Sequence, residues 1–320
     1  MMELKNLKAS YLGDLALLWK GNFSRDYKYS EDMINDRIFK DKDFCEDASF
    51  VILENHEARG FIVTKIDNSG LTGYEKSAWI SVLLVDKNYR NKGHGKKLYD
   101  KSEKAIIELG LDRIILGGEL NNFFSGIPAP NVSNKSFFEK KGFIINFEDH
   151  YDLIADASHI DFSNISVPYN TELQYSIRVY EKRNLEKLNN FFDESFPGRW
   201  KQEVMSNIRS HGDFRNILLL WQNENILGFC KVYMSTTISK YDFNYGSNWG
   251  SLGPIGIDKK IRGKFLGNNL LREALINLKS RGAKNILIDW TILKDFYGQF
   301  DFKPYRVYRG AYKSILKPKE

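Results

Sequence analysis

Two stretches of this chain carry the same pattern. Val85-Asp86-Lys87-Asn88-Tyr89-Arg90-Asn91-Lys92-Gly93-His94-Gly95 returns 172 positions later as Ile257-Asp258-Lys259-Lys260-Ile261-Arg262-Gly263-Lys264-Phe265-Leu266-Gly267. The register continues without a gap, with Leu98 over Leu270 and Gly110 over Gly282. Agreement at one fixed offset marks an internal duplication, so the chain is read as two domains of one fold. Each copy runs through an apolar strand, a short turn bearing Arg and Gly, a helix of about four turns and a second apolar strand. Leu98, Ser102, Ala105, Ile106 and Leu109 share one helix face in the first copy, and Leu270, Leu271, Ala274, Leu275 and Leu278 do in the second. Gly110 and Gly282 stand where a helix end favours a left-handed residue. The β-branched runs that follow, Arg113-Ile114-Ile115-Leu116 and Asn285-Ile286-Leu287-Ile288, read as buried strands.

Length and composition agree with two packed cores: 320 residues, 42% of them hydrophobic. Cys45 and Cys230 are far apart and lack CxxC spacing, which argues against a disulfide framework or thiolate metal site and fits a reducing compartment. The five histidines, His56, His94, His150, His159 and His211, form no HxxxH or HExxH group, so no metal is expected. The first ten residues lack an apolar leader core, and no run reaches the roughly 18 apolar residues of a membrane span. A soluble, cytoplasmic protein, monomeric or homodimeric, is the expectation. The net charge of +6 is too modest to indicate nucleic acid. The local cluster of Arg90, Lys92, Lys96, Lys97 and Lys101 around the first glycine loop instead suits a small polyphosphate, although lysines on a helix are often simply solvated.

Apolar spacing places strands at 3–7, 48–54, 60–65 and 79–85 and helices at 12–23 and 30–39 before the first repeat. The second half follows the same order, with a strand at 174–179, helices at 181–192 and 199–210, and strands at 216–221, 226–234 and 252–257. The domains are set at 1–156 and 172–320, joined by a polar linker, 157–171, that contains Pro168. In the first half a short helix around Phe137-Phe138-Glu139-Lys140-Lys141-Gly142-Phe143 leads into a final strand pair. Two aromatic segments break the repeat, 119–133 and 235–250, and both are candidate lids or substrate walls.

Backbone amides at a helix N-terminus converge on an anion, and glycine lets the chain approach it closely, so Arg90 to Gly95 is built to hold phosphate. A P-loop is excluded because Lys96 and Lys97 follow Gly95 where Lys-Ser/Thr spacing is required. The dinucleotide fingerprint also fails, since its third glycine falls at Leu98. An apolar strand, (R/Q)xxGx(G/A) at a helix start, a strand, a short helix and an aromatic-x-x-x-Gly-Phe ending resemble the GNAT acetyltransferase superfamily. The resemblance spans nearly the whole chain, as two units at 3–156 and 172–312. It implies an α/β (α+β) class: two tandem GNAT-like domains, each a mixed, mostly antiparallel twisted sheet flanked by helices. It also implies acetyl-CoA, or another acyl-CoA, as the bound coenzyme. Val85, Arg90, Asn91, Lys92, Gly93, His94, Gly95 and Lys96 then fall at the pyrophosphate loop, and Asn134 is a further expected coenzyme contact. In the second copy Arg262, Gly263 and Gly267 remain, but Phe265 replaces the first loop glycine, crowding the phosphate or forcing a new backbone angle.

Acetyl transfer to an amine needs a base for the ammonium, a donor for the thioester carbonyl and an acid for the departing thiolate. By the resemblance, Tyr297 stands at the general-acid position, where the first copy has Phe138. A backbone amide near 81–84 or 253–256 would serve the carbonyl. The family's frequent glutamate base is missing from both strands. Asp289, at the carboxyl end of the strand after the second helix, is the replacement the sequence offers, although it could equally cap the next turn. Glu119 and His150 are weaker candidates. The first copy therefore keeps the better coenzyme loop and the second the better acid; the intact loop tips coenzyme binding toward the first domain.

The expected activity is N-acetylation of a primary amine on a small molecule. An amino sugar or related metabolite is the narrower reading, resting on the resemblance of Gly253-Pro254-Ile255-Gly256-Ile257 and Ile288-Asp289-Trp290-Thr291 to acetyltransferases of amino-sugar metabolism. Non-catalytic acyl-CoA sensing is the alternative from another class. Aminoacyl transfer from tRNA, which would not need the intact first loop, ranks third.

Overall fold

The computed structural model describes residues 2–23, 27–68, 70, 73–119, 121–129, 132–168, 173–211, 216–235 and 248–315. They fall into two compact units, Met1–Tyr151 with Arg306–Glu320, and Asp152–Tyr305.

The first unit is ordered β1 (Met2–Asn6), α1 (Leu12–Asn22), α2 (Glu31–Arg37), β2 (Phe50–Glu54), β3 (Glu57–Ile66), β4 (Ser77–Val85), α3 (His94–Glu108), β5 (Arg113–Leu116), a short β6 (Ile127–Pro128), α4 (Val132–Lys140) and the start of β7 (Ile144–Asp156). Strands β1 to β4 pair antiparallel in sequence order. β4 then pairs β5 in parallel from Ser77↔Arg113 to Ile80↔Leu116, and no further. The apolar face of α3 packs on this sheet through Leu98, Tyr99, Ala105 and Ile106, and Ser102 Oγ meets Thr64 Oγ1 at 2.8 Å. Leu109, predicted on that face, is exposed because the helix is already ending there. Gly110 supplies the left-handed turn at φ 77°, and its N–H reaches the Ile107 carbonyl at 2.9 Å.

The second unit repeats this plan. It contains β8 (Ser176–Val179), α5 (Leu185–Ser195), α6 (Arg199–His211), β9 (Ile217–Gln222), β10 (Asn225–Met234), β11 (Trp249–Ile257), α7 (Leu266–Ser280), β12 (Asn285–Thr291) and the one-turn α8 (Lys294–Gly298). β8 to β11 are antiparallel, and β11 pairs β12 in parallel only from Trp249↔Asn285 to Ser251↔Leu287. All five predicted face residues of α7 are buried, and Gly282 turns the chain at φ 95°.

The unit boundaries differ from those read in the sequence, and the reason is local. β7 runs from Ile144 to Asp156 without a glycine or proline, so nothing folds the chain back into the expected strand pair. The partner of β5 comes instead from the end of the chain: β13 (Lys303–Ser314) pairs with it from Ala311↔Leu116 to Ser314↔Arg113. The predicted linker is also anchored. Ala157 and Phe162 are fully buried in the second unit, the Pro168 carbonyl accepts from Asn269 Nδ2 at 3.0 Å, and the Ile160 carbonyl accepts from Lys279 Nζ.

Segment 119–133 is packed rather than lid-like over its described part. Phe123 and Phe124 join the first unit's core, 4.9 and 5.8 Å from the Trp19 ring, and the Tyr29 hydroxyl donates to the Phe123 carbonyl at 3.3 Å. Most of the other aromatic segment, 236–247, lies outside the described residues. No helix among the described residues is long and apolar enough to cross a membrane.

The packed segment makes a contrast between two left-handed glycines. A Cβ on Gly117 (φ 64°) would stand 2.3 Å from the Phe124 carbonyl oxygen, whereas one on Gly110 (φ 77°) meets open space. Gly117→Ala should therefore lower the first unit's stability by more than about 2 kcal/mol, through clash as well as strain. Gly110→Ala should cost about 1 kcal/mol, from strain alone. Urea denaturation of both variants checks this; equal losses would show that the segment yields.

Candidate active site

The loop joining β11 to α7 reproduces the aspartate turn and the arginine bond of the one joining β4 to α3. Asp86 Oδ1 accepts from the Asn88 N–H at 2.9 Å, and Asp258 Oδ1 from the Lys260 N–H at 2.9 Å. Arg90 Nε donates to the Val85 carbonyl at 3.0 Å, and Arg262 Nε to the Ile257 carbonyl at 3.1 Å. Left-handed backbone follows in pairs: Asn91 (φ 61°) matches Gly263 (φ 79°), and Gly93 (φ 82°) matches Phe265 (φ 60°). Phe265 thus keeps the glycine's backbone, with ψ 9° against 0°, although this conformation costs an L-residue roughly 1 to 2 kcal/mol. Its ring is 51% exposed.

Both loops end on a 15-residue helix whose first turn holds no acidic side chain, so its free amides and positive dipole end face an anion unopposed. A Cβ on Gly263 or Gly93 would meet nothing within 4 Å, which leaves room for a phosphate against either backbone. In the first loop Lys92 Nζ donates to the Asn88 carbonyl at 3.1 Å, Lys96 pairs with Asp100 at 2.6 Å, and the His94 ring lies 6.3 Å from Tyr89. Asn134 is exposed on α4.

Beside the second loop a cleft of about 550 Å³ opens, lined by Trp200 of α6, Ile255–Ile257 of β11, Arg262, Phe265, Gly267, Leu293, Phe296 and Tyr297. Its origin is the parting of β11 from β12 after Ser251, together with a β-bulge between the Val232↔Leu252 and Cys230↔Ile255 pairs. Tyr297, on α8, is 4% exposed, and the Thr291 side chain is among its polar neighbours. Burial, and then the neighbouring Cys230 and Asp289, push its pKa up, so at neutral pH it stays a proton donor. The first unit matches this geometry with Phe138. Gly95 lies 3.9 Å from Phe137 Cε2, counted from an added Cβ, as Gly267 lies 3.9 Å from Phe296 Cζ, so Phe138 takes the place of Tyr297.

Asp289 lies at the end of β12. Solvent reaches it, yet protein crowds its carboxylate, and burial, with Glu203 next, pushes its pKa up against the opposing pull of Arg199 and Lys231. Arg199, Trp200 and Glu203 were not singled out in the sequence; all are on α6, and their i, i+3 and i, i+4 spacing shares one face, which was the available signal. Lys231 pairs with Glu203 at 2.7 Å. Arg199 Cζ stands 4.3 Å over the Trp290 ring, and buried Asp152 accepts from the Trp290 N–H at 3.2 Å.

The corresponding end of the first unit is sealed. By the strand registers Gly117 is the counterpart of Asp289, and Glu119 of Thr291. Glu119 is buried, accepts from Ser81 Oγ at the β4 bulge, and lies 3.4 Å from the fully buried Lys65 ammonium, which also holds Asp41 at 2.9 Å and the Asn121 carbonyl at 2.8 Å. A carboxylate so engaged is a structural ion partner rather than a free base. His150 is also in the first unit, bonded to the Ser125 backbone, and burial pushes its pKa down. The structure therefore brings Tyr297, Asp289, Arg262, Gly263 and Gly267 into one unit, and Val85, Arg90–Lys96 and Asn134 into the other.

Two repeats of a parting parallel strand pair, glycine loop and anion-binding helix define a tandem acyltransferase-type architecture. The model of the acetyltransferase (GNAT) family matches residues 16–143 and again 185–302, and the chain belongs to that family. Among solved structures it is similar to a region titled as a GCN5-related glucosamine N-acetyltransferase region of a fungal multi-domain GH3 β-N-acetylglucosaminidase, with TM-score 0.85 and 22% identity. That match covers 98% of this chain and 38% of the fungal one, so this chain spans well under half of that protein. A GCN5-related N-acetyltransferase from Sphaerobacter thermophilus matches with TM-score 0.75, 14% identity and coverage of 100% and 97%. A tandem GNAT protein from the clavulanic acid biosynthesis pathway matches with TM-score 0.67, 15% identity and full coverage of both chains. Comparison with curated proteins gives no match.

The raised pKa of Asp289 has a consequence for stability. A carboxyl group whose native pKa lies above its unfolded value, about 3.9, destabilises the fold when ionised; stability is regained as pH falls through the native pKa toward the unfolded one. Asp289→Asn removes the charge, so it should raise Tm at neutral pH and flatten this part of the Tm–pH profile. Thermal melts of both proteins between pH 4 and 8 test this, and a lower Tm for the variant at pH 7 would contradict it.

Proposed function

We propose that the protein is an acetyl-CoA-dependent N-acetyltransferase acting on a primary amine of a small molecule, with the second unit as the catalytic one. The observation that carries this reading is one cleft lined both by the Arg262–Gly267 loop and by Tyr297, with Asp289 electrostatically linked to the Tyr297 hydroxyl. The loop residues fit a diphosphate: the helix amides are unopposed and the backbone is open at Gly263. The coenzyme supplies an activated acetyl group as a thioester. Ile255–Ile257 of β11 line the cleft, and a backbone amide there would polarise the thioester carbonyl. Asp289 takes the proton from the acceptor ammonium, its raised pKa bringing it nearer the operating pH, and Glu203 helps to draw the cationic acceptor in. Tyr297 gives its proton to the departing sulfur. Transfer is direct, and no residue of the cleft need become acylated.

For the acceptor, an amino sugar is the narrower reading. It is supported by a carboxylate pair beside the partly exposed indole of Trp290, and by the description of the fungal relative. The first unit is proposed as a second coenzyme-binding element, using Val85, Arg90–Lys96 and Asn134. Its sealed β4–Glu119 end supports binding without transfer there. Two buried free thiols agree with a cytoplasmic setting.

Tyr297→Phe should lower kcat by roughly 10²-fold, with little change in KM, in an assay of CoA release against a panel of amino sugars and other primary amines. Gly267→Trp should fill the cleft and abolish both turnover and one acetyl-CoA site by titration calorimetry. Turnover that survives Gly267→Trp but is lost in Gly93→Trp would transfer catalysis to the first unit.

A further inference from the structure

Phe265 is an unusual residue to find where it stands. Its backbone is left-handed, at φ 60° and ψ 9°, a conformation that its counterpart Gly93 adopts without penalty. Its ring gains little packing in return: it is half exposed, and it lies at the wall of the cleft together with Trp200 and Leu293, which are exposed at 38% and 53%. Three large apolar side chains open to solvent around one cleft form a surface that calls for an apolar occupant. A merely degraded loop would leave the strain and the exposure uncompensated. A glycine would serve the phosphate better, so the side chain answers to something beside the phosphate.

Resting on the coenzyme reading above, we propose that Phe265 is a specificity-determining contact for the pantetheine arm of the coenzyme. Phe265 is the residue that caps the N-terminus of α7, whose first amides are assigned to the diphosphate. The cleft that Phe265 lines is also lined by Trp200, Leu293, Phe296 and Tyr297. The segment that must bridge the diphosphate and the reacting sulfur in this cleft is the pantetheine arm, whose geminal methyl groups offer the apolar surface these rings can cover. Adenine, on the opposite side of the diphosphate, is not required to enter the cleft. The second unit would thus replace a conformationally free glycine with a residue that trades backbone strain for contact with the ligand, and so favour coenzyme A over free adenine nucleotides.

The test compares wild type with Phe265→Gly and Phe265→Leu in the full-length chain. Titration calorimetry uses acetyl-CoA, 4′-phosphopantetheine and adenosine 3′,5′-bisphosphate as probes, and Tm is measured without ligand. Phe265→Gly is expected to raise Tm by relieving strain, to weaken acetyl-CoA and 4′-phosphopantetheine binding at one site by roughly fivefold to tenfold, and to leave the bisphosphate unaffected. Phe265→Leu, which keeps the strain and loses the ring, should show the weaker binding without the gain in Tm. Equal or tighter acetyl-CoA binding by Phe265→Gly would overturn the proposal and mark the ring as an obstruction. A loss confined to the bisphosphate would overturn the pantetheine assignment in favour of adenine. Failure of the wild type to bind acetyl-CoA at all would instead remove the coenzyme reading on which both rest.

Discussion

Everything at the two sites depends on how far a pair of parallel strands stays together. β4 and β5 hold register only to Ile80↔Leu116, and β11 and β12 only to Ser251↔Leu287. Past those points each strand carries backbone donors and acceptors that have lost their ladder partners, and a buried polar group left unmatched costs free energy of the order of a hydrogen bond, roughly 1 to 3 kcal/mol. A parted pair is therefore stable only if something else occupies the gap. The bulges at Ser81 and at 253–254 widen it by turning the strand, and the glycine loop and helix N-terminus close over its end.

The two units fill this gap differently. In the first, the protein supplies the filling: Ser81 donates to Glu119, Lys65 neutralises Glu119 and Asp41, and Phe123 and Phe124 cover the neighbouring core. Burying a lysine with two carboxylates is tolerable because each charge has a partner, and removing one would strand the others. Among the described residues of the second unit no such plug forms at the cleft. Position 289 is a solvent-reached carboxylate, where the first unit has Gly117 packed against backbone. One fold thus yields a closed end and an open end, depending on a few side chains after the fifth strand.

The duplication, the order of strands and helices, and both helix faces were legible because they are written in local periodicity and in glycines of required handedness. Gly110 and Gly282 could be assigned from position alone. What could not be read was long-range choice. Nothing near Leu116 states that its partner is Ala311 rather than a residue of β7; the cue is the absence of a turn between Ile144 and Asp156, and an absence is easily passed over. The place of Tyr297 beside the second loop was visible, since α8 follows a strand and aligns with Phe137-Phe138. Glu203 and Lys231 were not, because they reach Asp289 from separate elements across the second unit.

Left-handed backbone at these sites shows how a duplicated scaffold diverges. Gly93 and Gly118 are left-handed in the first unit, and the matching positions in the second are Phe265 and Trp290, at φ 60° and 48°. The scaffold requires the conformation, because the loop bonds of Arg90 and Arg262 and the strand ends are the same in both copies. Glycine meets the requirement at low steric cost but contributes no side chain. An aromatic residue meets it at the expense of strain, and the buried Asp152 carboxylate holding the Trp290 N–H is the kind of local support such a residue needs. Backbone geometry was conserved between the copies while chemistry was not. The second unit carries an aromatic residue and a carboxylate at the positions where its strands part, and the first unit, which has glycines there, is closed by its own side chains.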